Sequence, residues 1–278
     1  KFLKIWDLKA GKEIASLNGH SDSISSCAFS PNGKQIISGS MDKTIKLWDV
    51  ETGKEIASFI GHNESINSCA FSPDGKRILS GAGKKNCKRG ELKLWGIETG
   101  KEIVNFEGHL DGVNCCAFSP DGKRIISGSE NKNHAPNGIR SFSGNSDETL
   151  KLWDTESGKQ IGSFKGHIGC VKSCSISFNG KHIISGGETF NLWDADTCEE
   201  VAGSPHGKQH PFLVGETIKF MDTKTGKAIK LLFGHNELVN SCIFSPDGKQ
   251  ILSASSDKTL KIWDIDTGKE IAILPYPI

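Results

Sequence analysis

The sequence predicts an all-β repeat protein, a β-propeller of four-stranded antiparallel blades, and three observations carry that prediction. Short stretches such as TIKLWD and TLKIWD end in Trp-Asp at Trp6-Asp7, Trp48-Asp49, Trp153-Asp154, Trp193-Asp194 and Trp263-Asp264. The interval is regular, since Trp6 to Trp48 is 42 residues and so is His20 to His62. Turn residues such as SPDGK recur at fixed offsets inside that interval. A constant period of this length means that one supersecondary unit is copied along the chain. A residue recurring at one offset then serves the unit, and function is to be sought where the copies differ.

Residues 20–60 show the unit. Ile24-Ser25-Ser26-Cys27-Ala28-Phe29 is short, partly alternating and strand-like. Ser30-Pro31-Asn32-Gly33-Lys34 reverses the chain, with Pro to fix φ and Asn-Gly to supply positive φ. Gln35–Ser40 is a second strand, turned by Met41-Asp42-Lys43. Thr44–Asp49 alternates with its apolar side chains on one face. Glu51-Thr52-Gly53-Lys54 turns again into a fourth strand from Glu55 to Phe59. A four-stranded sheet this small cannot bury both faces alone. Stacked radially against its neighbours it can, which is the propeller solution to exposed sheet edges.

Gly-His before the first strand, Trp-Asp ending the third, and SPDGK and SGS-x-D between them resemble the WD40 repeat family, and the resemblance covers the whole chain. It implies that each four-strand unit is one blade with its first strand lining a central channel. It also implies a hydrogen-bonded tetrad in each blade: the Gly-His histidine, a second-strand Ser, the turn Asp and the Trp. By position the complete sets are His20, Ser38, Asp42 and Trp48; His109, Ser127, Asp147 and Trp153; and His235, Ser253, Asp257 and Trp263. Ser, His and Asp alone would suggest a hydrolase triad. Three copies, each with a Trp, point to a structural role.

Third-strand ends occur at Trp6, Trp48, Trp95, Trp153, Trp193, Met221 and Trp263, so a seven-bladed type is expected, with an incomplete first blade and a shortened sixth. One domain over 1–278 divides into 1–18, 19–60, 61–107, 108–165, 166–203, 204–233 and 234–278. Residues 1–18 supply only a third and a fourth strand. Either the first two lie upstream of Lys1 in a longer natural chain, the reading preferred, or that blade is half-built. Phe2 and Ile5 are expected at the surface there. In the sixth copy the missing piece is a Gly-His loop with its first strand, and Ser204-Pro205-His206-Gly207-Lys208 matches the SPDGK turn. Trp95-Gly96 lacks the Asp of the other copies, and neither Arg89 nor Gly187 replaces the turn Asp in its own. These blades are expected to be less rigid.

Two consecutive copies carry insertions between second and third strands, over 82–90 and 130–146. In the family fold such loops share a rim with the Gly-His loops. They bring together Lys84, Lys85, Lys88, Arg89, Lys132, His134 and Arg140 against Glu130 and Glu91. Two readings stand: a solvated loop of Gly, Asn and Ser, or a site for an acidic protein or peptide partner.

A net charge of +1 gives no case for nucleic acid or membrane binding. Of nine cysteines, Cys27, Cys69, Cys116, Cys174 and Cys242 share one offset, so they read as reduced, buried, small apolar residues of a cytoplasmic protein rather than a disulfide set. His167, Cys170 and Cys174 belong to the repeat more readily than to a metal site, and Cys87 in its basic loop reads as incidental. No P-loop, HExxH or CxxC pair occurs, so no cofactor, metal or catalytic residue is expected. Lys9, Glu51, Glu156, Asp196 and Asp266 stand where cullin-ligase receptors of the family often carry Arg, which disfavours that role. The expected function is a monomeric, non-catalytic protein–protein interaction scaffold presenting its top-face loops to a partner. The alternative is a sensory or regulatory repeat region of a larger multidomain protein.

Overall fold

Short alternating segments between Pro- and Gly-bearing turns give strands throughout, and every regular element among the described residues is a β-strand. The computed structural model describes residues 1–7, 9–83, 89–129, 149–165, 171–187, 191–194, 200–202, 216–221, 228–235, 237, 239–267 and 269–275.

β1 (Phe2–Asp7) and β2 (Lys12–Asn18) form a two-stranded sheet. β3 (Ile24–Phe29), β4 (Gln35–Ser40), β5 (Thr44–Asp49) and β6 (Glu55–Ile60) form a four-stranded one in sequence order. β7 (Ile66–Phe71), β8 (Arg77–Ala82), β9 (Glu91–Gly96) and β10 (Glu102–Phe106) repeat it. So do β11 (Val113–Phe118), β12 (Arg124–Ser129), β13 (Thr149–Asp154) and β14 (Gln160–Lys165). The fourth such sheet is β15 (Val171–Ile176), β16 (His182–Gly187), β17 (Asn191–Asp194) and β18 (Glu200–Ala202). β19 (Glu216–Met221) pairs only with β20 (Ala228–His235). β21 (Val239–Phe244), β22 (Gln250–Ser255), β23 (Thr259–Asp264) and β24 (Glu270–Pro275) close the series.

All pairings are antiparallel, and a bulge recurs beside the tryptophan, between Leu47 and Trp48, Leu152 and Trp153, and Ile262 and Trp263. A bulge bends and twists the strand locally, turning the indole away from the ladder's regular alternation. The first turn of each unit is held by its own side chains. The Gln35 N–H donates to Ser30 Oγ at 2.9 Å, Lys34 N–H to Asn32 Oδ1 at 3.0 Å, and Gly33 takes a φ of 70° that only glycine adopts without strain.

Among the described residues, neighbouring sheets bury faces against one another. Ile37, Ile45, Leu47 and Phe59 pack on Ile66, Cys69, Ile78 and Trp95. Leu79, Leu92, Leu94 and Phe106 pack in the same way on Val113, Cys116, Ile125 and Trp153. Ile184 meets Val239, Cys242, Ile251 and Trp263 directly, so the sheet of β15–β18 abuts that of β21–β24 along its inner strands. The sheet of β19 and β20 intervenes only farther out, beside β17 and β18.

Two sequence expectations fail at the first sheet. Ile5 is 7% exposed rather than on the surface, because it packs with Leu17 on Ile36 and Trp48, while Phe2 is exposed as expected. Cys27 is exposed, unlike Cys69, Cys116, Cys174 and Cys242, which are buried. The sheet of β1 and β2 has no inner strand to lie against β3, so the cysteine offset that is covered elsewhere stays open.

Candidate functional site

Strand alternation sorts the loops onto two rims. Those before each first strand and those between second and third strands share one rim; the SPDGK turns lie on the other. Beneath the first rim run chains of hydrogen bonds that tie neighbouring strands together. His20 Nδ1 lies 2.8 Å from Asp42 Oδ2 and its Nε2 2.7 Å from Ser38 Oγ, and the Trp48 indole donates to that same oxygen at 2.8 Å. Around His235, the distances are 2.9 Å to Asp257, 2.7 Å to Ser253, and 2.8 Å from Trp263 to Ser253. His109 reaches Ser127 at 2.7 Å and Trp153 donates to Ser127 at 2.8 Å; Asp147 lies outside the described residues.

With Nδ1 protonated toward the carboxylate, Nε2 accepts from the serine hydroxyl, and the serine oxygen accepts from the indole. Every polar group is thereby satisfied in a buried setting, where a stranded one costs about 1–3 kcal/mol. Burial alone would raise the Asp42 carboxyl, but hydrogen bonds from Thr44, His20 and Ser21 outweigh it and hold it at about 2. The same geometry argues against acyl transfer at these groups. Ser38, Ser127 and Ser253 are each 0% exposed, with the serine oxygen against an indole, so no substrate carbonyl can approach.

A fourth chain of this kind was not legible. His62 Nε2 is 2.7 Å from Ser80 Oγ and Trp95 donates to Ser80 at 2.8 Å, while His62 Nδ1 is 2.7 Å from Glu91 Oε2. The expectation that this copy has lost its acid is therefore corrected. Glu91 is the first residue of β9, at the place Thr44 holds in β5, and its longer side chain reaches back to the histidine. Burial pushes its carboxyl up, but hydrogen bonds from His62 and Asn63 prevail and hold it at about 2. A Glu in the Thr place, in the one copy whose turn Asp is Arg89, was the available signal.

Other recurring pairs also went unread. Lys46–Glu55, Lys93–Glu102 and Lys261–Glu270 bridge third and fourth strands at 2.8, 2.6 and 2.6 Å. The Trp-Asp aspartate caps the turn that follows it: Asp49 Oδ1 accepts from Thr52 N–H and its hydroxyl, both at 2.7 Å. That accounts for the Asp of the motif without any ligand.

Between the loops on this rim lies a cavity of about 630 Å³, bounded by Asn63, Glu64, Arg89, Glu91, Asn105 and Glu107. Arg89 is the one residue of the predicted basic group among the described residues, and it is exposed at this cavity. Lys84, Lys85, Lys88, Lys132, His134 and Arg140 lie outside the described residues, as do Cys87, His167, Cys170 and the turn at 204–208. Among the described residues no group of His, Cys, Asp and Glu could hold a metal ion, and no helix is long and apolar enough to cross a membrane.

The family model for the WD domain, G-beta repeat, matches residues 11–49, 53–95, 100–154, 158–194 and 226–264. The chain belongs to the WD-repeat family. Among curated proteins it is similar to nuclear distribution protein PAC1 of Coccidioides posadasii, 30% identical over 160 residues, or 44% of this chain and 34% of that protein. Nuclear distribution protein nudF of Aspergillus niger is 26% identical over 163 residues, 45% of this chain and 37% of its own length. A CCR4-associated factor 4 homolog of Vanderwaltozyma polyspora is 29% identical over 136 residues, 48% of this chain and 18% of its length. The aligned part thus spans about a third or less of these relatives. WD-repeat membership suggests an interaction scaffold.

Proposed function

We propose that this WD-repeat chain is a non-catalytic, cytoplasmic scaffold that holds a protein or peptide partner on the rim carrying the 61–65, 83–90 and 105–112 loops and the insertion over 130–146. The observation that supports this reading most is the cavity at Asn63, Arg89 and Glu107, set among loops that differ between copies and above His, Ser and Trp bonds that recur. A rigid support with variable loops is the physical recipe for recognition. The partner chemistry proposed is acidic: Arg89 and the lysines of the insertions supply positive charge, against Glu64 and Glu107 at the cavity and a Glu91 carboxylate already held by His62 and Asn63. The greater length of the relatives favours a second reading, in which the chain serves as the regulatory repeat region of a larger protein.

Affinity capture from cell extract, with the wild-type chain against a variant lacking 84–89 and 131–145, tests the first reading. Partners held by both alike would move recognition elsewhere on the molecule. For a captured partner, affinity should fall as salt rises, because exposed charges are screened over about 8–10 Å at physiological ionic strength. Reversing Lys85, Lys88 and Arg89 to Glu should slow association, while the same reversal at Lys34, Lys76 and Lys249 on the other rim should not.

A further inference from the structure

Ser26, Ser68, Cys115, Ser173 and Ser241 stand at one offset of the repeat, each immediately before the strand cysteine. At three junctions this serine reaches the inner strand of the neighbouring sheet. Ser26 Oγ is 3.1 Å from the Cys69 nitrogen and 3.4 Å from its sulfur. Ser68 Oγ is 3.2 Å and 3.5 Å from the same atoms of Cys116, and Ser173 Oγ is 3.2 Å and 3.8 Å from those of Cys242. At the junction of β11 with β15 the residue at that offset is Cys115, buried in one cluster with Cys174. Two thiols therefore stand where the other junctions place a hydroxyl and a thiol. Both are free, and both lie in one cluster with Ile126, Val171 and Ile176, 7% and 8% exposed.

We infer that Cys115 and Cys174 form an oxidative modification site, a thiol pair that a peroxide converts into a disulfide joining the sheet of β11–β14 to that of β15–β18. The geometry favours this pair over any other. At the three serine junctions the Oγ lies 3.1, 3.2 and 3.2 Å from the partner's backbone nitrogen, and the same repeat offset across β11 and β15 sets Cys115 and Cys174 at the Cα separation of roughly 4.4–6.8 Å that a disulfide spans. Rotation about χ1 then closes the remaining gap between the sulfurs. Cys116 and Cys242 lack that option, because each faces a serine.

In the reaction one thiolate attacks a peroxide oxygen, the O–O bond breaks, and a sulfenic acid and hydroxide form. The second thiolate attacks the sulfenic sulfur, the S–S bond forms, and hydroxide leaves. Two thiols and one hydrogen peroxide give one disulfide and two waters. Burial holds the Cys174 thiol well above its ordinary value, so the reaction is slow until the junction opens.

The test uses the full reduced chain, hydrogen peroxide at neutral pH, an alkylating quench and peptide mapping without reductant. Exposed Cys27 reports on the extent of oxidation. While the tryptophan emission stays native, Cys115 and Cys174 peptides should appear joined, and Tm should rise by roughly 5–10 °C. Dithiothreitol should reverse both. Cys115→Ser, which restores the residue of the other junctions, should abolish the joined peptide, and Cys116→Ser should keep it. If Cys27 is fully oxidised, the protein is folded and Cys115 and Cys174 are both still alkylated, the inference is wrong. Joining seen only in denaturant would overturn it equally, and the mapping decides on the wild type alone.

Discussion

Replacing Glu91 tests whether a residue from the start of a strand carries the work done elsewhere by a turn aspartate. Its carboxylate meets His62 Nδ1 at 2.7 Å, the Asn63 side-chain amide at 2.8 Å and the Asn63 N–H at 3.1 Å. Asn63 is exposed, so water replaces those two bonds at little cost, but the His62 side chain is 1% exposed. Glu91→Ala strands that ring N–H, at about 1–3 kcal/mol, and loses a charge-assisted bond as well, so about 2–3 kcal/mol is expected in all. Glu91→Gln keeps an acceptor and should cost about 1 kcal/mol. Glu91→Asp should behave like the alanine variant, because the reach shortens by one bond, about 1.5 Å. Guanidinium unfolding with an unchanged slope reads these differences. An alanine variant within about 0.5 kcal/mol of wild type would falsify the assignment, since that is what an idle surface position gives.

The same contacts fix a pH dependence. Asp42 and Glu91, ordinarily at 3.8 and 4.5, are both held at about 2 in the folded chain. The unfolded chain therefore binds more protons between those values, and stability rises with pH there. Their contribution is complete above about pH 5 and is lost as pH falls toward 2. Acid melts of Glu91→Gln should show a flatter loss over that range than wild type, and a slope equal to wild type would contradict the reasoning.

Other expectations follow from burial. Trp48→Ala should cost about 3–5 kcal/mol in denaturant melts, Trp48 being 1% exposed, whereas Trp6→Ala should cost about 1 kcal/mol or less, Trp6 being 52% exposed. Thr155 stands where Val50, Ile97 and Ile265 stand in other copies, and its buried hydroxyl has no partner among the described residues. Thr155→Val should therefore stabilise the fold by about 1 kcal/mol, read as a higher midpoint. A thiol reagent under native conditions should label Cys27 far faster than Cys69, whose thiol burial pushes up to about 12; equal rates would refute the difference in cover.

What was legible was what the chain repeats. Strand limits such as Ile24–Phe29 and Thr44–Asp49 came from alternation and turn residues, because those are local properties of a few adjacent side chains. Burial of a given offset was not, because it depends on the next sheet. Cys27 and Cys69 have the same neighbours in sequence and opposite exposure in space. Glu91 escaped for a related reason. Its place is a strand position, and only the length of its side chain, seen against His62, shows that it stands in for the turn acid. The basic group at 84–89 and 131–140 was read as charge alone, and of it only Arg89 falls among the described residues.

The contrast between constant and varying positions bears on function. His, Ser and Trp recur in four of the described sheets because each needs its own bonds to hold four short strands together, and a residue so required has no freedom to recognise anything. Glu91 makes the point from the other side: where the turn Asp is gone, a different residue restores the same bond to His62, so the bond rather than the residue is what the unit needs. The substitution also releases position 89 from structural duty. Arg89 now stands exposed at the cavity, in the place where Asp42 is tied to His20. A copy that moves its structural acid into the strand thus gains a rim position beside an insertion whose side chain can vary without weakening the sheet below.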